Sequence, residues 1–272
     1  MPDLETKLRD LNKILVDLKS AVIGFSGGAD STFLAAAAHR ALGGGAIAIT
    51  AYSATLPESE KEEAVALAAQ VGIRHVLLYN SELDSPDFVR NDGDRCYYCK
   101  KGRFGALADW AAEHGFEWVL EGSNADDRSD YRPGLRAVTE LPTVRSPLLE
   151  AELSKQDIRD LSKNWGLPTW DKPSAACLSS RVAYGQAVTK ENLGQIEKAE
   201  AFLKRYCKGQ VRVRHHGRLA RIEVAPEEIP VLTEPAAANE VAAALRKLGF
   251  AFVTLDLAGY HMGSMNRLLE TK

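Results

Sequence analysis

The sequence predicts an α/β fold, a parallel sheet flanked by helices, with a smaller α+β domain after it. Three observations predict this. Short apolar runs alternate with helical stretches through the first part of the chain. The small-residue turn Ser26-Gly27-Gly28-Ala29-Asp30-Ser31-Thr32 joins the first such run to a helix. After about Pro168 the alternation gives way to a helix–strand–strand–helix–strand pattern. The expected division is residues 1–170 for the sheet domain and 171–272 for the second.

Each element has its own reason. Residues 4–19 place Leu4, Leu8, Leu11, Ile14, Leu15 and Leu18 on one helical face. Ala21 to Phe25 is a short apolar run, as a buried parallel strand requires. The helix over 31–42 ends at Gly43-Gly44-Gly45, and Ala46 to Tyr52 is the next strand. Pro57 opens a helix from Glu58 to Val71, and Arg74 to Tyr79 is a third strand. A helix from Phe104 to His114 closes at Gly115, before a fourth strand from Trp118 to Gly122. Strands separated by helices pair in parallel through crossovers. In the second domain, helices are expected over 191–205 and 236–248, and strands over 211–214, 219–224 and 250–257.

Composition narrows the function classes. Net charge is -3, so no overall field draws nucleic acid, and no apolar run approaches membrane-spanning length. The amino terminus carries no apolar leader, and a cytoplasmic protein is expected. Four cysteines in such a chain point to metal or catalytic roles before disulfides.

The turn after the first strand is a phosphate cradle. Unpaired N–H groups and the positive end of the helix dipole face whatever lies above it. Gly27 and Gly28 permit close approach, while Ser26, Ser31 and Thr32 add hydroxyls. The Gly-Lys-Ser/Thr element of a Walker A loop is missing. Past the fourth strand come Glu121-Gly122-Ser123-Asn124-Ala125-Asp126-Asp127 and then Asp130-Tyr131-Arg132-Pro133-Gly134. Acidic residues beside a phosphate cradle suit Mg²⁺, which takes one or two carboxylates plus phosphate oxygens; a polar turn with an Asx cap reads the same way in isolation. Arg95-Cys96-Tyr97-Tyr98-Cys99-Lys100-Lys101 has C-x-x-C spacing, which brings two thiolates to one centre. Cys177 stands in the small, polar, basic-flanked stretch 172–185, the setting of a reactive or ligating thiol rather than a packed one. Cys207 has no comparable setting.

Ser-Gly-Gly-x-Asp-Ser resembles the signature of the PP-loop ATP pyrophosphatases, which split ATP between the α- and β-phosphates to adenylylate a substrate oxygen. Taken with the Glu-Gly-Ser-Asn-Ala-Asp-Asp stretch and Ala-Cys-Leu-Ser-Ser-Arg-x-x-Tyr-Gly, the chain is similar to the LarE family of sulfur transferases from about residue 8 onward. The resemblance implies ATP and Mg²⁺ as cofactors, with Ser26, Gly27, Gly28, Asp30, Ser31 and Thr32 around pyrophosphate, Asp30 and Asp127 toward the metal, and Ala51 and Ser53 against adenosine. It implies a pyridinium dicarboxylate mononucleotide as substrate and a thiocarboxylate as product, in biosynthesis of a nickel-pincer nucleotide cofactor. Cys177 matches the family's sulfur-bearing cysteine. Cys96 and Cys99 match its cluster-bearing branch, which implies a 4Fe–4S cluster on Cys96, Cys99 and Cys177 with one iron open to carry sulfur. Arg181, Arg212 and Arg214 are candidates for the substrate phosphate, because guanidinium forks fit phosphate oxygens, and Glu200 matches a position in the family's substrate region. A homohexamer is also implied. Three other readings stay open: a PP-loop tRNA thiolase, which needs a basic surface; an ammonia-using NAD or GMP synthetase-like ligase, which needs no cysteine trio; and a nucleotide-binding protein with a structural zinc site.

Overall fold

The structure is a computed structural model, and it describes residues 3–129, 133–173 and 176–265. The chain divides into two compact units, Met1–Glu82 with Cys96–Ala175, and Leu83–Arg95 with Ala176–Lys272.

In the first unit the elements run α1 (Leu4–Leu18), β1 (Ala21–Gly24), α2 (Ala29–Leu42), β2 (Ala46–Tyr52), α3 (Glu58–Val71) and β3 (Arg74–Tyr79). The short α4 (Pro86–Val89) belongs to the second unit. Then follow α5 (Arg95–Glu113), β4 (Trp118–Leu120), α6 (Pro133–Thr139), β5 (Val144–Arg145), α7 (Pro147–Glu150) and α8 (Lys155–Asn164). The sheet order is β3-β2-β1-β4-β5, with every pair parallel. From β1 the chain winds outward to β2 and β3, then returns to the other side of β1 for β4 and β5. That reversal opens a crevice above the carboxyl ends of β1 and β4, where ligands bind in sheets of this kind.

Helix α2 explains how the crevice is held. Its run Phe33-Leu34-Ala35-Ala36-Ala37-Ala38 is buried on every side, so it packs as a core helix rather than an amphipathic one. Four small side chains in a row let it lie close to its neighbours, and Phe33 stacks on Trp165 with ring centroids 4.9 Å apart. Helix α1 buries Leu11, Leu15 and Leu18 in the same core. Val22, Ile47, Ile49 and Val119 build a second apolar layer against Leu107 and Ala111 of α5. The amino end of α2 is thereby fixed over β1.

The second unit contains α9 (Lys190–Leu203), β6 (Arg212–His216), β7 (Leu219–Glu223), α10 (Ile229–Thr233), α11 (Pro235–Lys247) and β8 (Phe252–Leu255). Its sheet runs β6-β7-β8, antiparallel then parallel. Leu203, Val213, Ile222 and Leu245 are buried in its core. One segment departs from the expected division: residues 83–95 belong here rather than to the first unit. Asn91, fully buried, explains this. Its side-chain amide donates to the carbonyls of Ala183 (2.9 Å) and Gln186 (2.8 Å), and Val188 N–H donates to Val89. Among the described residues no helix is long and apolar enough to cross a membrane.

Candidate active site

The crevice of the first unit holds a cavity of about 290 Å³. Its lining combines apolar Phe25, Ile49, Leu56, Phe104 and Leu107 with polar Ser26, Asp30, Ser31, Glu121, Ser123 and Asp127. The apolar side chains suit a flat ring and the cradle an anionic tail.

The loop is built before any ligand arrives. Ser31 Oγ accepts from Ser26 N–H (3.2 Å), lies 3.0 Å from Ser26 Oγ and donates to Gly28 O at 3.2 Å. Gly27 has φ +69°, a left-handed conformation that a side chain resists, and a Cβ there would meet Leu67 Cδ1 at 3.3 Å. A Cβ on Gly122 would stand 3.3 Å from the Ser31 backbone nitrogen, so glycine lets the end of β4 approach the amino end of α2. Beneath the loop, Thr50 Oγ1 donates to Phe25 O at 2.8 Å. Its one hydrogen is then used, so His75 Nε2, 2.8 Å away, donates to Thr50. Burial pushes the His75 imidazole below its ordinary pKa.

Two carboxylates face the cavity from different elements. Asp30, in the first turn of α2, is held through both oxygens by Lys155 Nζ at 2.8 and 2.7 Å. Asp127 is buried, and its Oδ2 accepts from Asn124 N–H at 3.0 Å. On α5, Lys100 Nζ donates to Glu121 Oε2 at 2.8 Å, and Glu121 also accepts from Ser123 and Ser146. Arg103, also lining the cavity, donates to Glu82 Oε1 at 2.9 and 2.6 Å. Burial alone would raise the Glu82 carboxyl, but the Arg103 charge and the Ser53 hydroxyl outweigh it and hold its pKa below the carboxylate range.

The cysteines occupy distinct settings, all four as free thiols. Cys96 and Cys99 lie in the first turns of α5, three residues apart and so on neighbouring positions of one helical face. Cys96 is exposed and Cys99 half-buried, with Cys99 Sγ 3.8 Å from Glu82 Oε1. In the second unit, Cys177 caps the turn Leu178–Arg181, with its Sγ 2.9 Å from Ser179 Oγ. Cys207 is buried there, and burial pushes its thiol up. The arginines of that unit fall into two kinds. Arg181 forks onto Glu200 at 3.0 and 3.1 Å and donates to Cys177 O at 2.8 Å; Arg214 forks onto Glu223 Oε2 at 2.9 and 2.7 Å. Arg212 alone of the three has no carboxylate partner among the described residues; its guanidinium donates to Val211 O and lies 5.5 Å from the Tyr260 ring centre. Burial and the adjacent Arg181 charge both push Arg212 below the usual arginine range.

A family profile described as NAD synthase matches residues 5–83, the span of α1 through β3 and the cradle. A protein of Lactiplantibacillus plantarum named pyridinium-3,5-bisthiocarboxylic acid mononucleotide synthase is 37% identical over 99% of this chain and 97% of its own length. The chain belongs to the LarE family. An uncharacterized protein of Synechocystis sp. is 43% identical over 98% of this LarE-family chain and 99% of its own length. Another, from Methanocaldococcus jannaschii, is 33% identical over 63% of it and 66% of its own length.

Ser26, Gly28, Asp30, Ser31, Ala51 and Asp127 line this cavity together in the LarE-family chain. Four expected residues stand differently. Thr32 is fully buried, its N–H donates to Gly28 O, and it is not among the residues that line the cavity. Gly27 shapes the loop and turns toward Ala64 and Leu67. Ser53 is drawn into the Glu82 network with Thr55. Glu200, expected at the substrate, is buried with its oxygens committed to Arg181 and to Val213 N–H. Sequence reasoning overlooked Arg103 and Lys155, read Glu121 only within the acidic stretch past β4, and named Lys100 only beside the C-x-x-C thiols. Asp130, Tyr131, Arg132, Ser174 and Ala175 lie outside the described residues. Among the described residues no three His, Cys, Asp or Glu side chains form a metal-binding group. The donor chemistry suits iron nonetheless: two accessible thiols one helical turn apart fit two corners of a cluster.

Proposed function

We propose that this chain is an ATP-dependent sulfur transferase that converts a carboxylate of a pyridinium dicarboxylate mononucleotide to a thiocarboxylate. The observation that carries this reading is one cavity lined by the cradle residues Ser26, Gly28, Asp30 and Ser31, by Asp127 and by apolar side chains, in a chain alike end to end with a named bisthiocarboxylic acid mononucleotide synthase.

The chemistry follows from charge. Adenine lies on the Phe25, Ile49 and Phe104 side, and the phosphates on the loop. A substrate carboxylate oxygen attacks the α-phosphorus, the bond to the bridging oxygen breaks, and pyrophosphate leaves. The N–H groups at the start of α2 and the Ser26 and Ser31 hydroxyls stabilise the charge that develops there. Asp30 and Asp127 are the oxygen ligands suited to Mg²⁺, which screens the same phosphates. A sulfur nucleophile then attacks the activated carbonyl carbon, AMP departs with the bonding electrons, and the thiocarboxylate remains. Lys100, poised between Glu121 and the cavity, is a cation for the α-phosphate oxygens. In the second unit Arg212, which has no ion-pair partner among the described residues, offers its charge to the substrate phosphate, while Glu200 and Arg181 orient the Cys177 turn.

Cys96, Cys99 and Cys177 would hold a 4Fe–4S cluster, which when bound supplies the sulfur at its open iron. Four free thiols agree with a reducing, cytoplasmic setting, and a homohexamer is the assembly to test by light scattering. Mixing ATP, Mg²⁺, the mononucleotide and anaerobically reconstituted protein should give AMP, pyrophosphate and a product that has exchanged oxygen for sulfur by mass spectrometry. Product formation with Cys96→Ser and Cys99→Ser unchanged, and Cys177 converted to dehydroalanine, would replace the cluster route by sacrifice of Cys177. No sulfur in any product would overturn the reading.

A further inference from the structure

Asp30 does not wait empty for a metal. Both of its oxygens are held by Lys155 Nζ, at 2.8 and 2.7 Å, from a residue 125 positions away in sequence. Lys155 is itself fixed at its backbone. It is the first residue of α8, whose Ser154 and Asp157 form a reciprocal cap. Its N–H donates to Asp126 Oδ2 at 2.9 Å, and Asp157 is tied to Lys7 of α1 at 2.7 Å. The side chain beyond is about a third exposed and can swing on four methylenes.

An ammonium 2.7–2.8 Å from both oxygens of Asp30 puts a positive charge beside the place Mg²⁺ would take, since Mg²⁺ binds carboxylate oxygen at about 2.0–2.1 Å and like charges repel there. Lysine and metal therefore compete for one carboxylate. A displaced lysine beside a phosphate cradle has a second anion within the same site. We propose that Lys155 is a further residue of the nucleotide site: it neutralises Asp30 in the empty cradle, yields that carboxylate to Mg²⁺, and moves to the departing pyrophosphate. This rests on the reading of the cavity as an ATP site. No bond is made or broken by Lys155; it exchanges one ionic partner for another and remains protonated throughout.

The exchange makes two predictions of opposite sign, which a purely structural ion pair does not. In nucleotide-free protein, Lys155→Met removes the competitor, so Mn²⁺ (a spin-active stand-in for Mg²⁺) should bind several-fold more tightly by EPR titration. With Mg²⁺ saturating, the same variant should bind pyrophosphate about ten- to a hundredfold more weakly by calorimetry, the range for losing a hydrogen bond between charged groups. Lys155→Arg keeps the charge and grips Asp30 with a fork, so it should bind Mn²⁺ more weakly than wild type while retaining most pyrophosphate affinity. Unchanged pyrophosphate affinity in the Met variant, or equal Mn²⁺ affinity across the three proteins, overturns the proposal. These are binding measurements on ions alone. Wild-type protein that binds Mg²⁺ and pyrophosphate but never forms AMP from ATP would instead sink the sulfur-transfer reading and leave Lys155 to be judged on its variants.

Discussion

Three arginines suggested from the sequence for one task turn out to be differently employed, and their side chains predict different losses. Arg214 is buried against Glu223, which is itself fully buried and also meets Arg221 at 3.1 Å. Arg214→Gln leaves that carboxylate short of its main partner, and thermal or chemical unfolding should report a loss of about 3 kcal/mol, the cost of breaking a buried pair from one side. Arg212 has no carboxylate to strand among the described residues. Arg212→Gln should therefore leave the melting temperature close to wild type while KM for the mononucleotide rises about ten- to a hundredfold. Equal destabilisation by the two substitutions, or an unchanged KM in the Arg212 variant, would contradict this division of labour. Arg181 belongs with Arg214: its fork on Glu200 and its bond to Cys177 O make it the support of the thiol-bearing turn.

At the scale of elements, the strand–turn–helix of β1, the cradle and α2 is a contiguous device, and that is why it could be read in advance. Gly27 is its most demanding position. Gly27→Ala places a Cβ at φ +69° against Leu67 and Ala64, and should cost about 1–2 kcal/mol in a melt and weaken ATP binding, because the loop must re-aim its N–H groups to relieve the strain. Full retention of both would show that the loop tolerates a side chain. Other features were not legible. Helix α5 was expected from Phe104 but begins at Arg95, since Cys and Tyr carry weak helix propensity and hide its first turns; both C-x-x-C thiols consequently ride on a helix. Strand β5 has two residues, too few for any periodicity. Lys155 reaches Asp30 across 125 positions, and nothing local to either residue announces the other. The expected first domain, residues 1–170, took in residues 83–95 because their allegiance to the second unit is carried by the buried amide of Asn91 rather than by an apolar pattern.

At the scale of the whole molecule, both units carry imidazoles kept neutral by burial, and this fixes how stability responds to acid. His75 lies under the cradle in the first unit; His215 and His216 lie in β6 of the second, with His215 Nε2 2.9 Å from Gln195 Oε1. Burial holds all three below the ordinary histidine value, with the Arg221 charge adding to the effect on His216. An unfolded chain takes up these protons near pH 6.5, whereas the folded one resists until lower pH. As pH falls through about 6.5 the unfolded state therefore binds more protons, and stability must drop. Glu82 adds a later step: its folded pKa lies below the usual carboxylate value, so its contribution, present at neutral pH, disappears as pH falls below about 4. Melting curves at constant ionic strength should thus show a lower midpoint at pH 5.5 than at pH 7.5, with a second decline at more acid pH. Replacing His75 by Gln, which can still donate to Thr50, should flatten the first decline. A midpoint that holds or rises between pH 7.5 and 5.5 would mean that these imidazoles are charged in the folded protein, contrary to the effect of their burial.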